Sequence, residues 1–381
     1  METPDLIDVR EKDLDKFDGP FLFPYNTDIH HCPNGNIYQD LISNEQFLRL
    51  ASIKQLGTVG ASSMNACQDQ TRLYHSLVTA AMMDLVLYNT KLNDHERKLG
   101  IAAGLYHDIA ILPFSDQGKL LNPGSYEEET LTKRLISNSA PIMQSLDKHN
   151  INLDELIETI KGNTIVGRIL NSAKGIDIDN LSYLAIDSVW MCSSKYDDRR
   201  NLACEKGIFD QYRNIRYMNG EWVFDNPSLL TKLLKFRALM YERTYHNPVN
   251  RAKEAFMARL LKGNNIEPEE ALNWTDSDFM AWVKRKLGQK NYENLFWILK
   301  EPFAEIGREY DITKLDQLKK EMEKEDIIVE RLKPPRNATT NLVIYKKKIQ
   351  QLEEIPEFRD KVEEVKRIIK RLDYIGIYKA L

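Results

Sequence analysis

The stretch NDHERKLGIAAGLYHD, residues 93–108, decides how this chain is read. Asn93 and Asp94 are capping residues where a new helix opens. Leu99, Ala102, Ala103 and Tyr106 then recur at three- and four-residue steps and form one apolar face. That helix ends on Tyr106-His107-Asp108, the single His-Asp pair among seven histidines. Alone, such a pair is weak, because a chance dipeptide explains it. Its setting gives it meaning. At the end of an apolar helix both side chains are partly buried, and a buried carboxylate is costly unless paired or bound to a cation. Neighbouring helical residues point about 100° apart, so both reach one ion only where the backbone geometry allows it.

Upstream, Thr71-Arg72-Leu73-Tyr74-His75-Ser76-Leu77 leads into a helix with Leu77, Ala80, Ala81, Leu85 and Tyr88 at helical spacing. Taken alone, His75 reads as a satisfied core histidine. Downstream, Asn122-Pro123-Gly124-Ser125 breaks the chain and Glu127 to Ile136 resumes as helix. Lys174-Gly175 then precedes a helix that opens on Gly175-Ile176-Asp177-Ile178-Asp179 and runs through Tyr183 and Asp187. Acids at that end complement the helix dipole, which is the plain structural explanation of Asp177 and Asp179. Two imidazoles and two carboxylates together make a site for a hard-to-borderline divalent ion: Mn, Co, Ni, Fe, Mg or Zn.

Taken in order, these blocks resemble the HD-domain phosphohydrolases. Within them they are most similar to the branch of bacterial dGTP triphosphohydrolases and the mammalian SAM-and-HD-domain dNTP triphosphohydrolase. Ile53-Lys54-Gln55-Leu56-Gly57 resembles that branch's sugar-lining segment. Thr71-Arg72 to His75-Ser76-Leu77 resembles its Arg-x-x-His-Ser-Leu block, and His107-Asp108-Ile109 with Pro113-Phe114-Ser115 its His-Asp block. Residues 175–183 (GIDIDNLSY), with Asp187, resemble its Gly-Ile-Asp-x-Asp block, and Arg243 to Tyr245 a later phosphate-facing helix. The resemblance covers roughly residues 40–265. It implies a mainly α fold, an HD-domain helical core around one metal. It also implies His75, His107, Asp108 and Asp179 as ligands of one divalent ion (Co, Mn, Mg, Ni or Fe). Arg72 and Tyr183 would then contact phosphate, Gln55, Leu56 and Asp187 the sugar, and Tyr245 the phosphates or the base. A planar guanidinium fork suits phosphate. The plain alternatives are a surface charge for Arg72 and a core aromatic for Tyr183.

The chain also departs from that branch. Two histidines after the His-Asp pair are here Ile111 and Asp116, another aligns with Glu127, and a lysine after the metal aspartate is Asn180. In-line attack on phosphorus needs a nucleophilic water, charge neutralisation and a protonated leaving group. A metal serves the first two. A missing acid withholds help worth ~10²–10⁴-fold. Asp116 or Glu127 takes that part if burial raises its pKa. The expected activity is therefore stepwise removal of phosphates from a (deoxy)nucleotide or nucleotide analogue. The alternatives are release of intact triphosphate, or a non-catalytic metal- and nucleotide-binding module.

Of 381 residues, 53 are Lys or Arg and 57 Asp or Glu, and a net charge of −4 argues against a protein built to coat nucleic acid. No apolar run approaches the ~20 residues of a membrane helix, and the start METPDLIDVREKDLDKF lacks a signal-peptide pattern. Cys32, Cys67, Cys192 and Cys204 lack zinc-knuckle spacing and read as reduced thiols, so a cytoplasmic chain is expected. The expected partners are a small nucleotide and a second copy of the chain. His30-His31-Cys32 reads as loop surface rather than a second metal site. The entry is turn-rich, with a short hairpin around Pro33 to Ile37. Two strands flank Asn219-Gly220, and helix returns over Pro227 to Leu261. Residues 266–381 are set off from 1–265 as an accessory α+β region. There Leu315 to Glu325 is a charged helix, and Asp326 to Arg331 pairs with Thr340 to Tyr345 around Lys333-Pro334-Pro335-Arg336. Lys346-Lys347-Lys348 reads as a solvated strand end, and a final helix spans Phe358 to Leu372.

Overall fold

The apolar steps between residues 72 and 106 become two helices that cross at close range, and the rest of the chain is arranged around them. The computed structural model describes residues 35–57, 70–90, 92–121, 126–172, 175–191, 199, 202, 208–261, 264, 266–300, 303–322, 327–332 and 341–380. Its helices of eight residues or more begin with α1 (Gly35–Ile42), α2 (Arg72–Tyr88), α3 (Asp94–Tyr106), α4 (Glu128–Ser137), α5 (Ala140–Lys148) and α6 (Leu153–Ile160). They continue with α7 (Ile178–Met191), α8 (Pro227–Met240), α9 (Pro248–Leu261), α10 (Asp276–Leu287), α11 (Gln289–Lys300), α12 (Leu315–Met322) and α13 (Pro356–Lys370). One π-helical turn, Tyr241–Tyr245, follows α8.

Local chemistry sets the helix starts. The Thr71 hydroxyl accepts from the Tyr74 amide ahead of α2, and Asn93 and Glu96 exchange hydrogen bonds in a capping box ahead of α3. The α2–α3 crossing is close because Gly104 faces Ala80. A Cβ on Gly104 would sit 2.7 Å from the Ala80 Cα. Leu99, Ile101, Ala102, Ala103, Leu105 and Tyr106 are all buried, and the Tyr106 hydroxyl donates to the Leu41 carbonyl of α1 at 2.7 Å. Each large apolar side chain in such a position contributes about 1.5–3 kcal/mol.

The strands are β1 (Ile215–Met218), β2 (Glu221–Phe224), β3 (Phe303–Glu309), β4 (Ile327–Leu332), β5 (Leu342–Tyr345), β6 (Lys348–Gln351) and β7 (Tyr374–Ala380). One sheet has the order β1-β2-β5-β6 and the other β3-β7-β4. The β1–β2 turn residues Asn219 and Gly220 have φ of 54° and 83°, the left-handed pair that a two-residue hairpin requires. In the second sheet, alternate residues of β7 serve two layers. Tyr374 and Tyr378 pack with Ala252 and Phe256 of α9, while Ile375 and Ile377 pack under Leu315, Leu318 and Met322 of α12. The sheet thereby braces α9.

Two expectations change. Residues 35–37 open α1 instead of a hairpin, because Ile37 and Leu41, four apart, both enter the core. Pro33 and Asn34 lie outside the described residues, as do His30, His31, the four cysteines and residues 333–336. The two β-branched runs do not pair with each other. β4 pairs with β7, and β5 with β6 across a turn in which Lys346 and Lys347 have φ of 48° and 66°. β3 and β7 carry no local signal that marks them as strands, so in the sequence β4 has no visible neighbour but β5. Among the described residues no helix is long and apolar enough to cross a membrane.

Candidate metal centre and its cavity

Three remote segments bring four side chains together. His75 stands in the first turn of α2, His107 caps α3, Asp108 follows it, and Asp179 stands in the first turn of α7. His75 Nε2 and His107 Nε2 are 3.1 Å apart. Asp179 Oδ1 lies 3.0 Å from the first and 3.5 Å from the second. Asp108 Oδ2 lies 3.6 Å from each. His75, His107 and Asp108 can offer ligand atoms that all lie within 4.8 Å of one another.

The hydrogen bonds behind the rings set their tautomers. His107 Nδ1 is 2.9 Å from the Gly104 carbonyl, which only accepts, so Nδ1 carries the hydrogen and Nε2 presents a lone pair. His75 Nδ1 is 3.2 Å from Ser182 Oγ, and Ser182 donates to the Asp179 carbonyl at 2.9 Å. Ser182 therefore accepts from His75, whose Nε2 also faces inward as a lone pair. Metal-ligating histidines carry such orienting bonds on the far nitrogen. Burial disfavours charge on His107, but Asp108 and Asp179 outweigh it and raise the ring to about 9, so a proton occupies Nε2 until a cation takes its place. Burial likewise opposes ionisation of Asp108, yet Arg72, His107 and His75 hold it down at about 2. Asp179 lies below the usual carboxylate range, because the neighbouring His107 and His75 overcome its burial. Once that proton leaves, four acceptors face one another and a cation can take its place between them. This donor set fits a borderline divalent ion.

Arg72 is buried and its fork is engaged. Nη1 donates to Asp108 Oδ2 at 2.5 Å, Nε to Ser115 Oγ at 3.0 Å, and Nη2 reaches Asp116 Oδ2 at 3.5 Å. The turn after Asp108 is held from outside. The Arg49 guanidinium donates to the carbonyls of Ile109 at 3.0 Å, Ile111 at 2.7 Å and Trp274 at 2.8 Å. The Asp276 carboxylate accepts from the amides of Phe114 at 2.7 Å and Lys54 at 3.1 Å. Phe114 and Ser115 have φ of 60° and 59°, a conformation that persists only where the surroundings impose it.

A cavity of about 470 Å³ adjoins the cluster. Gln55, Leu56, Arg72, Tyr183, Asp187 and Tyr245, all named from the sequence, line it. Asp187 accepts from the Tyr245 hydroxyl at 2.6 Å and from the Gln70 amide, and burial raises its carboxyl to about 6 despite both bonds. Gln55 is buried, and its Oε1 has no hydrogen-bond partner among the described residues. Tyr183 and Tyr241 pack edge-on against Tyr245, at 5.9 Å and 5.0 Å. Ile111 forms an apolar part of the wall.

The two residues named as stand-in acids fare differently. Asp116 lines the cavity with its side chain 68% exposed. Glu127 is exposed and lines a separate surface hollow, where the Thr130 hydroxyl donates to it at 3.2 Å. Neither meets the condition of burial. Glu128 instead lines both the cavity and a smaller hollow of about 120 Å³ beside His107 and Asp179. The helix begins at Glu128, so Glu127 is left outside at the cap. Three glutamates in a row carry no phase of their own. Tyr241, His246 and the linked Gln117, Glu254 and Arg251 also line the cavity, and nothing in their local sequence singles them out. Arg237, buried and stacked on Tyr241, was missed too, and its Nε and Nη1 have no hydrogen-bond partner among the described residues. An arginine in α8 looks like a surface charge in the sequence, which is why it was not singled out.

No family model matches the chain. It is 27% identical to the uncharacterized protein YwfO of Bacillus subtilis (strain 168) over 273 residues, which are 67% of this chain and 59% of that protein. It is 25% identical to the deoxynucleoside triphosphate triphosphohydrolase SAMHD1 homolog of Dictyostelium discoideum over 283 residues, 66% of this chain and 53% of that protein. The chain thus spans less than two thirds of the length of these relatives. Among solved structures, a hypothetical protein from Aquifex aeolicus matches with a TM-score of 0.69 and 20% identity, covering 90% of this chain and 91% of that one. A phosphohydrolase from Bacteroides thetaiotaomicron VPI-5482 matches with a TM-score of 0.67 and 17% identity, covering 90% and 95%. The chain shares their fold. It is an HD-like, mainly α fold with a small sheet region toward the C-terminus.

Proposed function

We propose that this chain is a divalent-metal-dependent phosphohydrolase that removes phosphates stepwise from the tri-, di- and monophosphates of a (deoxy)nucleotide or nucleotide analogue. One observation carries the reading: two inward-facing imidazole Nε2 atoms and two ionised carboxylates converge beside a cavity of about 470 Å³ walled by two arginines and three tyrosines. That volume is in the range of small-ligand sites. His75, His107, Asp108 and Asp179 would hold one divalent ion (Co, Mn, Mg, Ni or Fe), which supplies charge neutralisation and an acidified water. Arg72, fixed in plane by Asp108 and Ser115, would turn its remaining donor capacity to a terminal phosphate. Tyr183 would exchange its long 3.4 Å bond to Asn180 Oδ1 for a phosphate oxygen. Gln55 Oε1 and Asp187 would accept from sugar hydroxyls, with Tyr245 holding Asp187 in place. Glu128 takes the acid role first sought at Glu127, and Asp116 remains a charged wall beside Arg72.

The name of the Dictyostelium relative and that of the Bacteroides neighbour support hydrolysis of phosphate bonds. The chain also looks similar to the phosphohydrolase of oxetanocin biosynthesis, which acts on nucleotide analogues with a modified sugar. That similarity and the apolar Ile111 support stepwise cleavage over release of whole triphosphate. The test is incubation with dATP and each of several divalent metals, with products separated by ion exchange. The expected result is diphosphate, monophosphate and orthophosphate in succession. Tripolyphosphate as the sole phosphorus product overturns the stepwise scheme. Activity retained by a folded, metal-depleted His107→Ala variant overturns the mechanism.

A second reading is a nucleotide-binding module without turnover. The exposure of Asp116 and Glu127 favours it. It predicts thermal stabilisation by nucleotide with no phosphate released.

A further inference from the structure

Asp179 reaches the cluster because the chain ahead of α7 is held by a residue far along the sequence. Asn341, next to β5, is 6% exposed. Its Oδ1 accepts from the Ile176 amide at 2.9 Å, and its Nδ2 donates to the Ile176 carbonyl at 3.0 Å. One carboxamide thus satisfies both backbone groups of one residue, as a neighbouring strand would. Asn341 is itself anchored, since its carbonyl accepts from the Leu352 amide at 3.1 Å. Gly175 makes the fit possible. It has φ of 74°, and a Cβ there would collide with the Asn341 carboxamide. Asp177 completes the arrangement. Its carboxylate accepts from the Ser172 amide at 2.9 Å, from the Asn180 amide at 2.7 Å and from the Asn180 side chain at 2.5 Å. Ile176 and Asp177 are both pinned, and Asp179 follows two residues later.

We propose that Asn341 is a positioning residue for Asp179, fixing the backbone that aims this carboxylate at His75 and His107. The proposal rests on the reading of Asp179 as a metal ligand. An amide is required chemically. Only it offers a donor and an acceptor side by side, matched to the Ile176 carbonyl and amide. A carboxylate would offer two acceptors and set its charge against that carbonyl. A merely structural role predicts a lower melting temperature with unchanged metal affinity in the folded protein. A positioning role predicts weaker metal binding well below the melting transition.

The experiment titrates full-length wild type, Asn341→Asp and Asp179→Ala with Mn²⁺ alone, following free Mn²⁺ by electron paramagnetic resonance, with circular dichroism to establish folding. Loss of a residue that orients a ligand typically weakens metal binding 10–100-fold, and that is the shift expected for Asn341→Asp. Asp179→Ala is expected to lose binding. Wild-type affinity in folded Asn341→Asp, beside lost binding in Asp179→Ala, overturns the inference alone. Wild-type affinity in Asp179→Ala overturns the reading of Asp179 as a ligand, and the inference with it. Asn341→Ser, shorter and uncharged, carries the same expectation and replaces Asn341→Asp if the latter does not fold.

Discussion

The Asp187 carboxyl is almost sealed from water, and two hydrogen bonds do not fully compensate. Burial raises its pKa from 3.8 to about 6. Folding is therefore favoured by the protonated form. That advantage is complete below the unfolded value and is lost as pH rises through about 6. At 1.36 kcal/mol per pKa unit the full swing is about 3 kcal/mol. The stability of wild type relative to Asp187→Asn should fall by up to that amount between about pH 4 and 7, read from denaturant midpoints at each pH. A flat difference would mean that Asp187 ionises freely. At this scale much of the cavity was legible. The residue types at positions 55, 72, 75, 107, 108, 179, 183, 187 and 245 stand out within or beside apolar segments, and the fold brings them to one place. Glu128 and Arg237 were not legible. Choosing among three adjacent glutamates requires the helix start, and a lone arginine in α8 resembles a surface residue until its neighbours are known.

At the scale of elements, the two-histidine geometry depends on how closely α2 and α3 approach. Gly104 sets that distance at Ala80. Gly104→Ala presses a methyl against backbone, which cannot yield as a side chain can. Overpacking of this kind costs about 1–3 kcal/mol. The shift also separates His75 from His107. The expected outcome is a lower denaturation midpoint together with weaker Mn²⁺ binding, whereas stability loss without weaker binding would show that the crossing does not set the cluster. Helices were largely legible because their period repeats within one segment, as α2, α3, α7 and α13 illustrate. The β1–β2 hairpin was legible through Asn219-Gly220. The partners of β4 and β5 were not, since a strand's own residues do not name its neighbour. β7 is a short alternating run after a helix and offered little to distinguish it from a tail.

At the scale of the molecule, residues from the last third hold loops near the cluster. Asp276 accepts from Phe114 and Lys54, joining α10 to both the turn after His107 and the segment of Gln55. Asp276→Asn replaces one acceptor with a donor that faces a backbone donor. Leaving a buried group unsatisfied costs about 1–3 kcal/mol. The expected outcome is a stability loss of that size in denaturant titration and a fall in kcat for phosphate release. An unchanged denaturation midpoint would show that the clamp contributes nothing. These bonds span 162 and 222 positions, and the Asn341–Ile176 pair spans 165. No local pattern could announce them, because each partner is an ordinary polar residue until the chain closes on itself. They also order events on the ribosome. A nascent chain halted before position 341 has already made every histidine and carboxylate of the cluster, yet it lacks the carboxamide that bonds both backbone groups of Ile176. Domains generally mature from the N-terminus during synthesis. A prematurely terminated product would therefore have every residue of the centre without the strand-like clamp on the backbone ahead of Asp179.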